Sequence, residues 1–491
     1  MIGKKIPDLI FIFAFMIMLI VPMALTNVKK EQVSEIDNRM LTELKPFEGI
    51  GWTSFNNSAR NLESYFSDRV GFRAQMITMN QILNDRLFGL MVHPSYENGK
   101  EGHVFFKFNR EWTDYGDFIN SYTGYIDQMQ TYCMSRGADF LFALNPSKTI
   151  LYEEYLPDGI HFEFSLYKDM IHELSSRHIR YLDLAEPLLA AKDMGYPVCN
   201  VKFDAGHWNM HGAFFGMSAI MERFSEKAPM LSPLDPNDFD LTYETKRSLS
   251  VANFPISEDY AHYSAKNFES EIQNVFNEEI RKGSSYPNFA HYKNPKNPAA
   301  PRILVLHGSH ISGEVQRYVV DQFSEAFFLY SYNVIDYLPY YFNIFQPDIV
   351  LYEVADRTIA PGLVDIASFE NKVLQPEITV FNALPEVAQF SIEPVVMQGD
   401  VESERRLIEY RFNVSRSEVK FAYLKLGGSV LDFDILHIGE NTALAIVIDK
   451  MLIETSEEAE IILVPDNLYS KQTVSCQVVS DPMGVFLFDC G

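Results

Sequence analysis

The chain has 491 residues, enough for about three domains of ordinary size. Its 41 Lys and Arg residues are outnumbered by 66 Asp and Glu residues, and the net charge of −25 argues against nucleic acid as a partner, because phosphate binding requires clustered Lys and Arg. Hydrophobic residues make up 47% and charged residues 22%, which is a globular rather than a disordered composition.

The first 30 residues predict an N-terminal membrane anchor. The stretch from Leu9 to Leu25 carries no charge, and extended through Val28 it reaches the ~20 residues that cross a bilayer. Lys4 and Lys5 precede it, which favours a cytoplasmic N-terminus and an extracytoplasmic body. A cleaved signal peptide is the alternative, but residues 22–27 contain no clean cleavage site.

Residues 31–385 predict an α/β domain, because short apolar runs typical of buried parallel strands alternate with segments of helical periodicity. The predicted strands are Asp139–Leu144, Ile179–Leu184, Arg302–Leu306, Ala326–Tyr330 and Asp348–Glu353. The predicted helices are Phe55–Leu90 with a break near 67–71, Tyr122–Arg136, Ile171–His178, His211–Phe224 and Gly313–Phe327. Residues 230–300 interrupt the alternation and are predicted to be an insertion or an extended crossover.

Residues 386–491 predict a separate all-β sandwich. Alternating or continuous apolar runs are separated there by Gly, Asn and Asp turns, without an intervening helix of comparable strength. Cys476 and Cys490 lie close in sequence and can form a disulfide in an oxidising compartment. Two free thiols in neighbouring strands are the alternative.

Polar clusters at or after predicted strands are candidates for chemistry, because sites in such sheets form at the carboxyl ends of strands. Ser309 closely follows a buried strand and precedes a predicted helix, whose first N–H groups are free to stabilise an oxyanion. A serine hydroxyl needs a base, and Asp204 and His207 supply an oriented imidazole. The alternative is that Ser309 only caps a helix.

A metal site is a further alternative. His207 and His211 are four residues apart, and His307 or His310 offers a third ligand. The glutamate that zinc proteases place between their two histidines is missing here. We therefore predict no metal and no other cofactor.

Several stretches in combination resemble the SGNH-hydrolase-like proteins of polysaccharide O-acetylation, of the AlgX/AlgJ and DHHW type, and more distantly DltD. These stretches are residues 34–39, 65–73, 148–157, 204–213 and 347–357. The resemblance implies an SGNH-like parallel sheet with flanking helices. It also implies that Ser309 is the nucleophile, His207 the base and Asp204 its partner. Further candidates for substrate contacts are Asn145, Gly308 and Arg357.

The function implied is a membrane-anchored, extracytoplasmic O-acetyltransferase that acts on a cell-surface polysaccharide. A membrane-bound acyltransferase is the implied source of the acetyl donor, and water as acceptor makes the protein an esterase. The C-terminal sandwich is a candidate carbohydrate-binding module, with Tyr410 and Tyr423 as candidate contacts unless they pack in its core. The alternative function is a non-catalytic polysaccharide-binding or scaffold protein, in which Ser309 and His207 need not meet.

Overall fold

The structure is a computed structural model. It describes residues 5–29, 41–45, 52–88, 91–92, 96–106, 116–160, 164–248, 255–266, 271–272, 289–311, 313–330, 334–359, 364, 374–388, 390–395, 407–414, 419–438, 441–480 and 486–490. The stretch 34–39 that contributed to the resemblance lies outside these residues.

The α-helices in the described ranges are α1 (Lys5–Ala24), α2 (Trp52–Arg69), α3 (Arg73–Phe88), α4 (Gly116–Ser135), α5 (Lys148–Leu151), α6 (Ser165–Ser176), α7 (Ala185–Asp193), α8 (Met210–Ser225), α9 (Leu338–Phe345) and α10 (Lys450–Glu454). The predicted break near residues 67–71 is confirmed, since α2 ends at Arg69 and α3 begins at Arg73.

The strands of the first part of the chain are β1 (Tyr96–Asn98), β2 (Val104–Phe106), β3 (Asp139–Asn145), β4 (Tyr181–Asp183), β5 (Phe239–Ser248), β6 (Pro255–Ala265), β7 (Glu271–Ile272), β8 (Ala290–Lys293), β9 (Arg302–His307), β10 (Glu325–Tyr330) and β11 (Ile349–Ala355). Those of the C-terminal part are β12 (Ile392–Val395), β13 (Leu407–Val414), β14 (Val419–Leu426), β15 (Ser429–Asp432), β16 (Asp434–Ile438), β17 (Asn441–Asp449), β18 (Glu458–Pro465), β19 (Gln472–Ser480) and β20 (Phe486–Asp489).

A seven-stranded sheet forms the centre of the α/β part, in the order β4-β3-β11-β9-β10-β8-β7. The first five strands are parallel, which confirms the predicted parallel sheet. Strand β8 pairs antiparallel with β10, and β7 pairs antiparallel with β8, so that only β8 runs against the direction of the other strands of this sheet. Because β9 lies next to β11, and β11 next to β3, the carboxyl ends of these three strands meet at one edge.

Successive side chains of a strand point to opposite faces of the sheet. Both faces of this sheet are buried. On one face, Phe142 and Leu306 belong to a core that includes residues of α4, α6 and α9. On the other, Leu141 and Val305 belong to a core that includes residues of α7 and α8. The result is an α/β/α arrangement, which explains why the strands read as continuous apolar runs.

The helix predicted over Gly313–Phe327 is wrong. Within this stretch lie two short 3₁₀ segments, Val315–Tyr318 and Val320–Gln322, and β10 begins at Glu325. Gly313 has a positive φ of 56°, which does not occur within an α-helix. The consecutive β-branched residues Val319 and Val320 are weak helix formers. Ser309 therefore does not precede the N-terminus of an α-helix.

Residues 230–300 are only partly an insertion. Strands β5 and β6 pair with each other as a separate hairpin, which agrees with the prediction. Strand β8, however, pairs with β10 and contributes to the main sheet. Its buried His291 and Tyr292 cover the edge of β10, which explains why this segment joins the core despite its polar surroundings.

The C-terminal strands form two antiparallel sheets, β12-β13-β17-β16 and β15-β14-β18-β19-β20. Side chains from both sheets share one hydrophobic core, which is the arrangement of a sandwich. Tyr410 and Tyr423 are both buried, so their rings are not exposed contacts for sugars. A disulfide joins Cys476 on β19 to Cys490, directly after β20.

The N-terminal residues that predicted a membrane anchor form helix α1. None of the helices within the described ranges is long and apolar enough to cross a membrane. The prediction needed the apolar segment to continue through Val28, but α1 ends at Ala24 and holds Asp8 in its first turns. The transmembrane prediction is therefore not confirmed.

Candidate active site

The candidate site lies at the carboxyl edge of the main sheet. Ser309 is the second residue after the end of β9, and Arg357 is the second residue after the end of β11. Asp204 and His207 lie in the loop that leads into α8. The chain thus brings residues about a hundred positions apart to adjacent strand ends, where sites of open α/β sheets form.

Ser309, His207 and Asp204 form a continuous chain of hydrogen bonds. The Ser309 Oγ lies 2.7 Å from the His207 Nε2, and the His207 Nδ1 lies 2.9 Å from the Asp204 Oδ2. The imidazole and the carboxylate are both partly buried, with 32% and 21% of their side chains exposed. A base must reach within about 3 Å of the proton it removes, and this separation meets that requirement.

The Asp204 loop is ordered by the carboxylate itself. The Oδ1 atom accepts hydrogen bonds from the backbone N–H groups of Gly206 and His207, at 2.8 and 3.1 Å. Burial alone raises the pKa of Asp204, but the hydrogen bond and the charge of His207, together with these two N–H groups, hold it below its ordinary value. Asp204 is therefore ionised and accepts from the imidazole.

The Arg357 guanidinium determines which tautomer His207 adopts. Its Nη2 lies 3.2 Å from the His207 Nε2, and its Nε donates to the Gly206 carbonyl at 3.0 Å. A guanidinium can only donate, so the Nε2 must be the acceptor and the Nδ1 must carry the proton that Asp204 receives. This is the tautomer in which His207 can take a proton from Ser309.

The Phe106 ring packs against the loop that contains Asp204 and His207. The Phe106 ring packs on Gly206, where a Cβ atom would lie 2.2 Å from a ring carbon. The Arg357 guanidinium lies over the same ring, 5.3 Å from its centroid. A side chain at position 206 would displace Phe106, and with it the support for Arg357.

Asn145 and Gly308 do not face solvent at the site. Asn145 is 1% exposed, and its Nδ2 donates to the Glu353 Oε1 at 3.3 Å. The Gly308 N–H donates to the Glu353 Oε2 at 3.1 Å. Both groups predicted to contact substrate are therefore engaged with a buried carboxyl group that the sequence analysis did not single out.

Two further residues at the site, Glu353 and Glu258, were missed, and His310 was considered only as a candidate metal ligand. Glu353 lies within the apolar strand β11, and nothing in its sequence context distinguishes a buried carboxyl from an exposed one. His310 is buried beside His207, with ring centroids 4.9 Å apart, and burial holds its pKa well below the ordinary value. Glu258 comes from the β5–β6 hairpin and accepts hydrogen bonds from the loop before Asp204. Only the proximity of His310 to Ser309 in sequence offered a signal.

The histidines of the alternative metal site are dispersed. His207 bonds to Asp204 and Ser309, whereas the His211 Nδ1 lies 2.7 Å from the Tyr263 hydroxyl. His307 directs its Nδ1 to the Gly308 carbonyl. Among the residues that the structure describes, no group of three or more His, Cys, Asp or Glu side chains could hold a metal ion.

The match to a protein family concerns the α/β part. Residues 96–252 match the family model described as SGNH hydrolase-like domain, acetyltransferase AlgX. The matched range contains Asp204 and His207 and ends before Ser309. No curated protein sequence matches the chain.

Similar solved structures include the O-acetyltransferase domain of Pseudomonas putida AlgJ, with 16% identity and a TM-score of 0.40 over 57% of this chain and 99% of that one. Bacillus cereus PatB1 has 19% identity and a TM-score of 0.42 over 55% of this chain and 98% of that one. The same protein with a sulfonyl adduct has 17% identity and a TM-score of 0.42, over 54% and 95%. The match to the family model over residues 96–252 confirms the resemblance of the chain to the SGNH hydrolase-like AlgX acetyltransferases.

Proposed function

We propose that the protein is an O-acetyltransferase in which Ser309 carries the acetyl group, His207 is the general base and Asp204 orients it. The observation that carries this proposal is the 2.7 Å separation of the Ser309 Oγ and the His207 Nε2, with Asp204 bonded behind the ring. The non-catalytic alternative left these side chains free to lie apart. Their contact favours the enzyme.

The reaction has two half-reactions. The Ser309 Oγ attacks the carbonyl carbon of the acetyl donor while the His207 Nε2 takes its proton, and the imidazolium then protonates the departing group of the donor. In the second half, a sugar hydroxyl attacks the acetyl ester of Ser309, its proton passes to His207, and Ser309 recovers its proton on release. Water in place of the sugar gives acetate and makes the protein an esterase.

Arg357 takes part when the proton moves. Once the Nε2 carries a proton, it becomes a donor and no longer accepts from the Arg357 Nη2, which lies 3.2 Å away. The tetrahedral intermediate creates a negatively charged oxygen on the carbon attached to the Ser309 Oγ. We assign Arg357 the role of stabilising this charge, because the guanidinium then needs a new acceptor.

The acceptor, the donor and the location are part of the same proposal. We propose a cell-surface polysaccharide as acceptor and a membrane-bound acyltransferase as the source of the acetyl donor, on the basis of the AlgX family resemblance. The Cys476–Cys490 disulfide supports an extracytoplasmic location, since disulfides persist in oxidising compartments. Alkylation of free thiols in intact cells tests the location, because Cys476 and Cys490 react only if they are not paired. Fractionation of the cells tests any attachment of residues 1–30 to a membrane.

The catalytic proposal is tested with 4-nitrophenyl acetate and the full chain. We expect Ser309→Ala to reduce release of nitrophenol to the uncatalysed rate, and His207→Ala to reduce kcat by ~10²–10⁴-fold. Arg357→Ala is expected to reduce kcat by ~10²-fold, as loss of one oxyanion donor does elsewhere.

The double variant Ser309→Ala, His207→Ala should be no slower than Ser309→Ala alone, because residues that act as one unit are not additive. Circular dichroism melts serve as the folding control. Turnover by Ser309→Ala at the wild-type rate would rule out Ser309 as the nucleophile. Acetate transfer to an added oligosaccharide, measured by mass spectrometry, separates a transferase from an esterase.

A further inference from the structure

Glu353 lies directly beneath the turn that carries Ser309. Its strand β11 runs parallel to β9, with Tyr352 paired to Leu306, so that Glu353 comes level with the end of β9. The residue is completely buried, with 0% of its surface exposed. The same strand pairs on its other side with β3, which ends at Asn145.

The carboxyl group of Glu353 connects two strand ends. Its Oε2 accepts from the Gly308 N–H at 3.1 Å, and its Oε1 accepts from the Asn145 Nδ2 at 3.3 Å. Gly308 is the residue immediately before Ser309. The contact therefore acts on the backbone one residue from the proposed nucleophile, and it does not touch the reacting atoms.

The other polar groups of the same turn are held as well. The His307 Nδ1 donates to the Gly308 carbonyl at 2.6 Å, and the Trp208 Nε1 donates to the His310 carbonyl at 3.0 Å. The backbone on both sides of Ser309 is thus fixed, and Glu353 supplies the bond to the Gly308 N–H. Without that bond, the buried Gly308 N–H loses its acceptor and the turn loses one of the contacts that fix it.

The surroundings of Glu353 are a poor environment for a charge. The His310 Nδ1 lies 4.0 Å from its Oε1, and Arg357 acts on it from a longer distance. Burial raises the pKa values of the Tyr122 and Tyr352 hydroxyl groups, and a negative charge on Glu353 also acts to raise them. Burial raises the pKa of Glu353 to about 7 despite the opposing effects of Gly308, Asn145 and Arg357. An apolar side chain would avoid this unfavourable desolvation, but it could not accept from Gly308.

We propose that Glu353 is a positioning residue for the nucleophile: by accepting from the Gly308 N–H, it fixes the turn so that the Ser309 Oγ points at the His207 Nε2. This inference rests on the proposed function. It predicts that an uncharged acceptor at position 353 suffices, because the requirement is a hydrogen bond and not a charge.

The test measures how fast Ser309 is labelled by phenylmethanesulfonyl fluoride in the full chain. In this reaction the Ser309 Oγ bonds to sulfur, fluoride leaves, and His207 takes the proton. We expect Glu353→Ala to slow labelling and to lower kcat for 4-nitrophenyl acetate by ~10- to 100-fold with little change in KM, since small displacements of reacting groups have effects of this size. Glu353→Gln should recover most of the loss, because its carbonyl oxygen can accept from Gly308.

Glu325→Ala is the matched control. Glu325 is also largely buried and bonded, to His291 and Arg302, but it lies at the amino end of β10, at the opposite edge of the sheet. We expect this variant to lose thermal stability and to label at the wild-type rate. Labelling of Glu353→Ala at the wild-type rate, or Glu353→Gln as slow as Glu353→Ala, would overturn the proposal.

Amide hydrogen exchange separates this proposal from the proposed function. If wild-type Ser309 is neither labelled nor active, the proposed function fails. Hydrogen exchange at the Gly308 N–H still tests whether Glu353 fixes the turn. We expect exchange in the peptide 302–311 to be ~10-fold or more faster in Glu353→Ala than in the wild type, and close to wild type in Glu353→Gln. Equal exchange in all three proteins would refute the role of Glu353.

Discussion

The buried carboxyl group of Glu353 makes stability depend on pH in a way that is independent of catalysis. Its folded-state pKa is about 7, whereas the ordinary value for a glutamate is 4.5. Between these values the folded protein binds a proton that the unfolded chain does not bind. The contribution of Glu353 to stability is therefore least favourable above pH 7 and improves as the pH falls toward 4.5.

We predict that Glu353→Gln is more stable than the wild type at pH 8 by about 1–3 kcal/mol and loses this advantage by pH 5, because glutamine is neutral throughout. The measurement is the free energy of unfolding in urea at pH 5, 6, 7 and 8. Glu386→Gln is the control: burial acts to raise the pKa of Glu386, but hydrogen bonds from Thr473 and the charge of Lys471 hold it below its ordinary value. The free energy of unfolding of this control should differ from that of the wild type by the same amount at every pH from 5 to 8. A constant difference for Glu353→Gln as well would contradict the prediction.

At the level of residues, the sequence was informative where chemistry follows from residue type. Ser309, His207 and Asp204 were selected because a hydroxyl needs a base and a base needs an orienting group. Glu353 was not selected, because its burial results from packing between β3 and β9 and not from its sequence neighbours. Asn145 was assigned to substrate for the same reason, since its position at a strand end did not reveal that its amide faces inward.

At the level of elements, the β5–β6 hairpin supports the loop that contains Asp204. Two oxygens of Glu258 on β6 accept from three successive backbone N–H groups, those of Val201, Lys202 and Phe203, at 2.5, 2.8 and 2.7 Å. From the other side, the Lys148 Nζ donates to three backbone carbonyls, those of Val104, Asn200 and Val201. The loop is thus held between a carboxylate and an ammonium group just before Asp204 and His207, the proposed catalytic residues.

We predict that Glu258→Ala lowers the rate of sulfonyl labelling of Ser309 by ~10-fold, because the released loop lets Asp204 and His207 move away from Ser309. Asp259→Ala is the matched control on the same hairpin, since Asp259 is exposed and bonds to Thr245 within the hairpin. That variant should label at the wild-type rate. Equal rates for both variants would show that the hairpin does not support the site.

The elements themselves were predicted well where periodicity was strong. Strands β3, β9 and β11 were identified from their continuous apolar runs, and their parallel pairing followed from the helices between them. The helix after Ser309 was wrong, because a local apolar pattern does not distinguish an α-helix from 3₁₀ turns that pack on the same core. Strand β8 was missed because its pairing with β10 depends on a contact distant in sequence.

At the level of the whole molecule, the C-terminal sheets are joined to the α/β part by a buried polar contact that no sequence pattern indicated. Asp432 on β15 accepts from the Tyr132 hydroxyl and, at 2.7 Å, from the Arg136 Nη2, and both partners lie on or next to α4. The backbone of Asp432 also exchanges two hydrogen bonds with the Asn343 side chain on α9, at 2.8 and 3.0 Å. The partners are about 90 to 300 residues apart in sequence, which is why the sandwich was predictable and its attachment was not.

We predict that Asp432→Ala lowers the free energy of unfolding by about 3–5 kcal/mol, because it leaves the Arg136 guanidinium buried without its carboxylate. The measurement is urea unfolding followed by hydrogen exchange of peptides from both parts, and we expect α4 and β15 to lose protection together, since Asp432 connects them. Glu460→Ala is the control: Glu460 forms an ion pair with Lys425 on the same sheet, but both side chains are more than 40% exposed. Exposed pairs contribute about 0–1 kcal/mol, so this variant should unfold close to the wild type. If Asp432→Ala is no less stable than Glu460→Ala, or if β15 loses protection while α4 keeps it, the contact does not couple the two parts of the molecule.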